Sequence, residues 1–295
     1  MAYGTPNTLD EVEQYYTDIR RGKRPSPREI EELKQRYIAI GGHSPLLQIT
    51  NRQAEELEGK LIDEGVQARV YVGMKHWHPY IPDVVKKIDR DGLRELVTVP
   101  LAPHYSAAST NGYRAAVEDA LREIESDIKL RFIESWHLNP YLLEAWLELI
   151  EDALRMFDRP DDVFVLFTAH SLPKRLMQSG DPYVEQLMET SAEIAKMSSL
   201  RRWAFAFQSA SKTGERWLGP DLLDRIDELS SNGVRDVLVT PVGFVADHLE
   251  ILYNIDVEAA QHAHRLGIRL ERTRMPNDSP KFISALASIV RQALG

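Results

Sequence analysis

Two apolar runs in this chain each end on side chains able to handle a proton or a metal ion. FVLFTAHSLP delivers His170, and LVTPVGFVADHLE carries Asp247, His248 and Glu250. Open α/β sheets place ligand chemistry at the carboxyl ends of their strands, so a buried run that stops on His or Glu marks a candidate site. An imidazole that is mostly neutral near pH 7, beside a carboxylate, suits divalent-metal and proton handling together. Taken alone, His170 fits equally well as a histidine satisfying a local hydrogen bond at a strand end. Glu250 fits equally well as a first-turn glutamate complementing a helix dipole, with Asp247 as the cap. Glu250, Asn254 and Glu258 recur four residues apart and so share one helix face. That stripe is either a solvated face or a path for a hydrated cation leading away from Glu250.

Other groups are more ambiguous. Arg20, Arg21, Lys23 and Arg24 form a basic cluster in an acidic chain. They read either as cations at a helix C-terminus or as a carboxylate-binding surface, which Arg36 and Tyr37 would extend. Lys75, His76 and His78 in GMKHWHP, and His104 in APHYS, lack the helical His spacing of zincin sites and read as cleft lining or structure. Trp217 in RWLGP reads as a packing aromatic or the border of a flat ligand. No Gly-x-Gly-x-x-Gly or P-loop is present, which argues against a nucleotide cofactor.

The elements that must position these residues alternate between helix and strand, the pattern of an α/β fold with parallel sheets. Thr8 with Glu11, and Ser26 with Pro27 and Glu29, are helix starts; Gly41 and Gly42 end the second helix. Ser44 and Pro45 open a third, through about Ile62. Then ARVYVGM reads as a buried strand, IPDVVKKI as a helix and ELVTVPLAP as a strand. KLRFIESW, VFVLFTA, WAFAFQS and VLVTPVGF read as later strands, separated by helices near Pro140–Met156, Tyr183–Met197 and Leu222–Leu229. An internal repeat runs through this order. GLRELVTVPLAPH (92–104) resembles GVRDVLVTPVGFVADH (233–248), VYVGMKH matches WAFAFQS, and AYGTP falls where AHSLP lies. Two related α/β halves, 1–120 and 121–295, are therefore expected, with the last helix packing back on the first half. Tyr3 and His170 become pseudo-equivalent groups facing one cleft from opposite sides. The second half has a full strand before Ala169, whereas Ala2 is preceded by Met1 alone. Met1 is thus expected to be an internal residue of a longer chain, preceded by a hydrophobic strand of roughly five to eight residues.

Composition narrows the class. The 295 residues suffice for two domains, and no apolar run approaches the roughly 18 to 20 residues of a membrane span. The opening residues lack a basic and then apolar leader, so a cytoplasmic location is expected. A net charge of -9 argues against a nucleic-acid partner. The absence of cysteine rules out disulfides, thiolate zinc sites and cysteine-held iron–sulfur clusters.

Taken together, MAYGTP, YYTDIRRGKRP, RYIAIGGHSPL, YVGMKH, LAPHYS, TAHSLP, GDPY, WLGPD, PVGFVADHLE and MPN resemble the ferrochelatase family across essentially the whole chain. The likeness is nearest to the Gram-positive type that metallates coproporphyrin III. The resemblance implies two similar Rossmann-like domains around a porphyrin cleft. It also implies a lyase that inserts Fe2+, as substrate, in haem biosynthesis with no permanently bound cofactor. On that resemblance His170 and Glu250 hold the catalytic and metal-handling positions. Tyr3, Arg20, Arg36, Tyr37, Ser44 and Tyr113 fall at porphyrin-contacting positions, Tyr3 being the tyrosine that can ligate iron axially. Asn254 and Glu258 fall on an outer metal path, where the family commonly has an aspartate in place of Asn254. The expected partners are the porphyrin and Fe2+, with transient contact to a downstream haem-pathway enzyme. Alternative readings are a chelatase for protoporphyrin IX, or for a corrin precursor with cobalt, and a non-catalytic tetrapyrrole carrier.

Overall fold

The computed structural model describes residues 1–210 and 214–295. Helices α1 (Val12–Ile19), α2 (Pro27–Ala39), α3 (Leu46–Asp63) and α4 (Ile81–Arg90) lead to strand β1 (Glu95–Thr98). After α5 (Thr110–Glu123) come β2 (Lys129–Phe132), α6 (Pro140–Leu154), β3 (Phe164–His170) and α7 (Tyr183–Met197). The rest is β4 (Trp203–Gln208), α8 (Leu222–Ser231), β5 (Asp236–Thr240), α9 (Leu249–Tyr253), α10 (Ala260–Arg265), β6 (Arg269–Arg272) and α11 (Pro280–Leu294). Among the described residues no helix is long and apolar enough to cross a membrane.

Local signals explain the helix that carries the arginines. Ser26 accepts from the Glu29 amide while Glu29 returns to the Ser26 amide at 2.7 Å, and Pro27 sits at the first helical position. Two consecutive left-handed residues, Gly41 and Gly42, turn the chain after α2, a conformation that costs glycine least.

All pairings within the two sheets are parallel. The second sheet has order β4-β3-β5-β6 and the first pairs β1 with β2. From Val165 to Ala169 every residue of β3 is buried, as a strand covered by helices on both faces must be. The repeat is visible in the backbone. Ala2 bridges Met74 as Ala169 pairs Phe207, both parallel, and the amides of Met74 and Phe207 donate to Pro79 and Pro220.

Two expectations fail here. ARVYVGM is not a strand: only Met74 bridges, to Ala2 and Tyr80. An apolar run supplies burial, but a strand needs a hydrogen-bonded neighbour along its whole length. The division at residue 120 falls inside α5, which packs with α4 in the first-half core, and β2 pairs with β1 rather than opening the second sheet. The first half therefore extends to Phe132. α11 packs against both α3 and α6, and its Arg291 pairs with Glu64 at 3.0 Å.

Candidate active site

β3 carries His170 to the rim of the second sheet, where Tyr183 donates its hydroxyl to the His170 carbonyl at 3.1 Å. After β5 the loop must double back closely. Gly243 makes this feasible, since a Cβ there would lie 2.3 Å from the Ala169 Cβ. Past that turn Gln208 at the end of β4 donates to the Glu250 carbonyl at 3.2 Å. Three strand ends thus hold the two main-chain positions, and the side chains meet: His170 Nε2 lies 3.5 Å from Glu250 Oε1. The pair is 32% and 33% exposed, so it lines a surface that a ligand reaches.

The hydrogen bonds set the protonation chemistry. His170 Nδ1–H donates to the Ser171 carbonyl, which fixes the neutral tautomer with the Nε2 lone pair toward Glu250. Burial opposes the imidazolium, but the charge and hydrogen bond of Glu250, with the Ser171 carbonyl, outweigh it and raise the His170 pKa above its ordinary 6.5. Burial would likewise raise Glu250; His170, then His248 and Ser209, reverse this and hold its carboxyl at about 2. The mostly neutral His170 expected from its free pKa is therefore shifted toward the imidazolium. Glu250 Oε2 has no hydrogen-bond donor among the described residues, although His248 Nε2 stands 4.0 Å away. A buried orphan carboxylate oxygen beside an imidazole is a donor set that suits a divalent cation. Among the described residues no cluster of three His, Cys, Asp or Glu is preassembled for a metal.

Tyr3, in the first half, packs on His76. It is 44% exposed and its ring lies 4.6 Å from that of His76, which is tied to Asp18 at 2.8 Å. Desolvation first, and the Glu250 charge second, raise the Tyr3 pKa, which puts this phenol and that carboxylate in one electrostatic neighbourhood.

The remaining candidates divide. Tyr37 is 2% exposed, with its hydroxyl 3.1 Å from Thr5 Oγ1, and Tyr113 is 5% exposed in the first-half core. Ser44 is 7% exposed and its hydroxyl accepts from the Leu46 amide at the start of α3. All three build the wall. Arg20 pairs with Glu29 at 2.8 Å, and Arg36 lies 5.4 Å from the centre of the Tyr253 ring, brought there by packing of α2 on α9. His248, not Asp247, holds the N-cap position of α9, without a side-chain capping bond, while the Asp247 carboxylate accepts from Asn277 at 2.8 Å and lies 3.2 Å from Arg272. Beyond Tyr253 it widens into a π-helical stretch, Asn254–Ala259, in place of the regular four-residue repeat. Asn254 accepts from Ser209 at 3.0 Å and donates to Glu258 at 2.9 Å, so the stripe is internally bonded.

Sequence reasoning passed over Ser209, whose place directly after β4 (Trp203–Gln208) was the available signal; His248 and Lys75 it named without assigning them a role at the site. Lys75 lies 5.2 Å from the Tyr113 ring centre, its pKa lowered first by burial and then by Arg21. An anionic group arriving there would relieve that cost. His104 is structural, buried with Nε2 2.9 Å from Thr190.

Comparison with known proteins fits this geometry. The family model described as ferrochelatase matches residues 1–294. The protein named "Ferrochelatase" from Herpetosiphon aurantiacus is 47% identical over 293 residues, covering 98% of this chain and 96% of its own. Those named "Coproporphyrin III ferrochelatase" from Geobacillus kaustophilus and Bacillus subtilis are 43% and 38% identical, covering 98% and 100% of this chain and 93% and 96% of theirs. Among solved structures, SirB from Bacillus subtilis with Fe3+ superposes with a TM-score of 0.59 at 14% identity, over 82% of this chain and 88% of its own. At that identity the likeness is one of fold, the two-domain chelatase fold. Tyr3 in the first half and His170 and Glu250 in the second lie inside a match spanning both halves, and the chain belongs to the ferrochelatase family.

Proposed function

We propose that the metal this enzyme inserts is ferrous iron and that its porphyrin is coproporphyrin III, giving iron coproporphyrin in haem biosynthesis. The observation that carries the reading is the His170–Glu250 pair, a base and an anion 3.5 Å apart, with Tyr3 near enough for the Glu250 charge to raise its pKa. Metallation releases two pyrrole N–H protons for each Fe2+ taken up. Neutral His170 accepts one at Nε2, the nitrogen left free when Nδ1–H is committed to Ser171. Glu250 stabilises the imidazolium that forms, and the raised pKa of His170 makes it a stronger acceptor than free imidazole. The second proton follows once His170 has passed the first to solvent. Glu250 Oε2 and His170 Nε2 are the groups placed to hold the arriving Fe2+.

Support for coproporphyrin comes from the cationic groups above the cleft and from relatives that carry that name at 38–43% identity; the 47% identical relative is named without a porphyrin. Four propionates offer more partners to Arg20, Arg36 and Lys75 than the two of protoporphyrin IX. The test is anaerobic absorbance with Fe(II), Co(II) or Zn(II) against each porphyrin. The reading expects Fe(II) turnover on coproporphyrin III to exceed that on protoporphyrin IX at least tenfold in kcat/KM. Equal values would remove the substrate assignment and leave metal insertion standing.

A further inference from the structure

Lys75 holds its charge in a costly place. Its main chain is fixed beside Tyr3: the Lys75 amide donates to the Ala2 carbonyl and the His76 amide to the Tyr3 carbonyl, each at 2.9 Å. From there the side chain runs to the start of α5, where the ammonium donates to the Ser109 carbonyl at 3.4 Å beside the Tyr113 ring. Among the described residues no carboxylate pairs with it, whereas Arg20 and Arg24 are taken up by Glu29 and Glu13. Burial and the Arg21 charge both work against the cation there, so a carboxylate arriving at this place meets an ammonium already stripped of part of its water. Gly112, the third residue of α5, leaves room for that path. A Cβ on it would lie 2.7 Å from Lys75 Cε and closer still to Nζ, and the next nearest atom is again of Lys75. Its backbone is outside the left-handed region, and a helix favours alanine over glycine, so neither turn geometry nor helix propensity calls for glycine here. Gly59, inside α3, differs: nothing lies within 4 Å of where its Cβ would be.

We propose that Gly112 is a positioning residue: its missing side chain lets the Lys75 ammonium rest against the first turn of α5, and that place sets how tightly the enzyme holds a carboxylate of its porphyrin. The inference rests on the reading of Lys75 as a partner for a propionate. An alanine at 112 would claim the space that Lys75 Nζ and Cε occupy. Those atoms are the free end of a flexible chain, so the lysine gives way and the helix does not. The ammonium then leaves the Ser109 carbonyl and the Tyr113 ring together and loses its fixed direction. A carboxylate would have to order a mobile lysine as it binds, and that lost side-chain entropy lowers affinity. His170 and Glu250 stand in the other half, on β3 and α9, so the effect belongs to KM and not to kcat.

Gly112→Ala, Lys75→Ala and the two together are compared by fluorescence titration of metal-free coproporphyrin III and by steady-state metallation. Gly112→Ala should raise Kd and KM about fivefold, with kcat within about twofold. Its urea midpoint should be no lower than the parent's, because alanine favours the helix. Lys75→Ala should raise Kd about tenfold, and in that background Gly112→Ala should add less than about twofold, there being no lysine left to displace. An effect of Gly112→Ala that persists undiminished without Lys75 overturns the proposal. So does an unchanged Kd in Gly112→Ala while Lys75→Ala weakens binding. An unchanged Kd in Lys75→Ala would instead remove Lys75 as a propionate partner, and this inference with it. Because Kd is read without turnover, these outcomes stand whichever porphyrin the enzyme metallates faster.

Discussion

The two halves of the molecule solve one problem with unequal means. Each brings an aromatic ring, Tyr3 or His170, to the equivalent place in the repeat. In the second half β3 pairs with β4 from Val165 to His170 and with β5 from Phe164 to Phe167, and His170 leaves a strand whose preceding five residues are fully buried. In the first half Tyr3 follows Met1 and Ala2, which bond to Gly73, Val99 and Leu101. The chemistry follows the scaffold. His170 ends a strand of the four-stranded sheet and Glu250 sits in the first turn of α9, whereas the first half carries Tyr3, Arg20, Arg36 and Lys75.

Changes in the two halves should differ most in turnover. Glu250→Ala removes the anion that stabilises the His170 imidazolium, and kcat should fall about 10²- to 10³-fold. Tyr3→Phe, in the first half, should cost no more than about tenfold; a larger loss than Glu250→Ala would invert the ranking of the two halves. In the cores the same asymmetry should appear in urea unfolding. Leu166→Ala, in the middle of β3, should cost about 3 kcal/mol, and Val97→Ala, half-buried in β1, about 1 kcal/mol. Equal costs would mean that the two sheets are equally packed.

The pH profile sharpens the comparison at the site itself. His170 must be neutral to accept a proton, and its pKa is raised, so the acidic limb of kcat/KM should lie above pH 6.5, with activity rising as pH rises through it. In Glu250→Gln the stabilising charge is gone while burial remains, so the limb should move below that of the unaltered enzyme; an unmoved limb would detach it from this pair. The smallest effect belongs to the outer stripe. Glu258→Gln should leave kcat/KM within about twofold, because Asn254 already engages that carboxylate.

Much of this arrangement could be read from residue order, and the failures share a cause. His170 and Glu250 stood out because each follows an apolar run, although residue order alone left their roles open, and β3, β4 and β5 were legible because their burial is nearly continuous. The run 68–74 has the same composition yet lacks a paired neighbour, and a sequence states hydrophobicity more plainly than partnership. β2 was assigned to the wrong half for the same reason. Tyr113 came from the family resemblance alone, and Tyr37 from it and from its place beside Arg36, since residue order does not report that both are buried. The π-helical stretch was invisible, since side chains four residues apart do not report how many backbone bonds each turn skips.

The most direct measurement is single-turnover metallation of coproporphyrin III by His170→Ala under anaerobic conditions, paired with fluorescence titration of porphyrin binding. If the imidazole is the proton acceptor, the metallation rate should fall at least 10³-fold while the porphyrin Kd changes less than threefold. A variant that inserts Fe(II) at a near-normal rate, or that loses metallation only because it no longer binds porphyrin, would contradict the role assigned to His170.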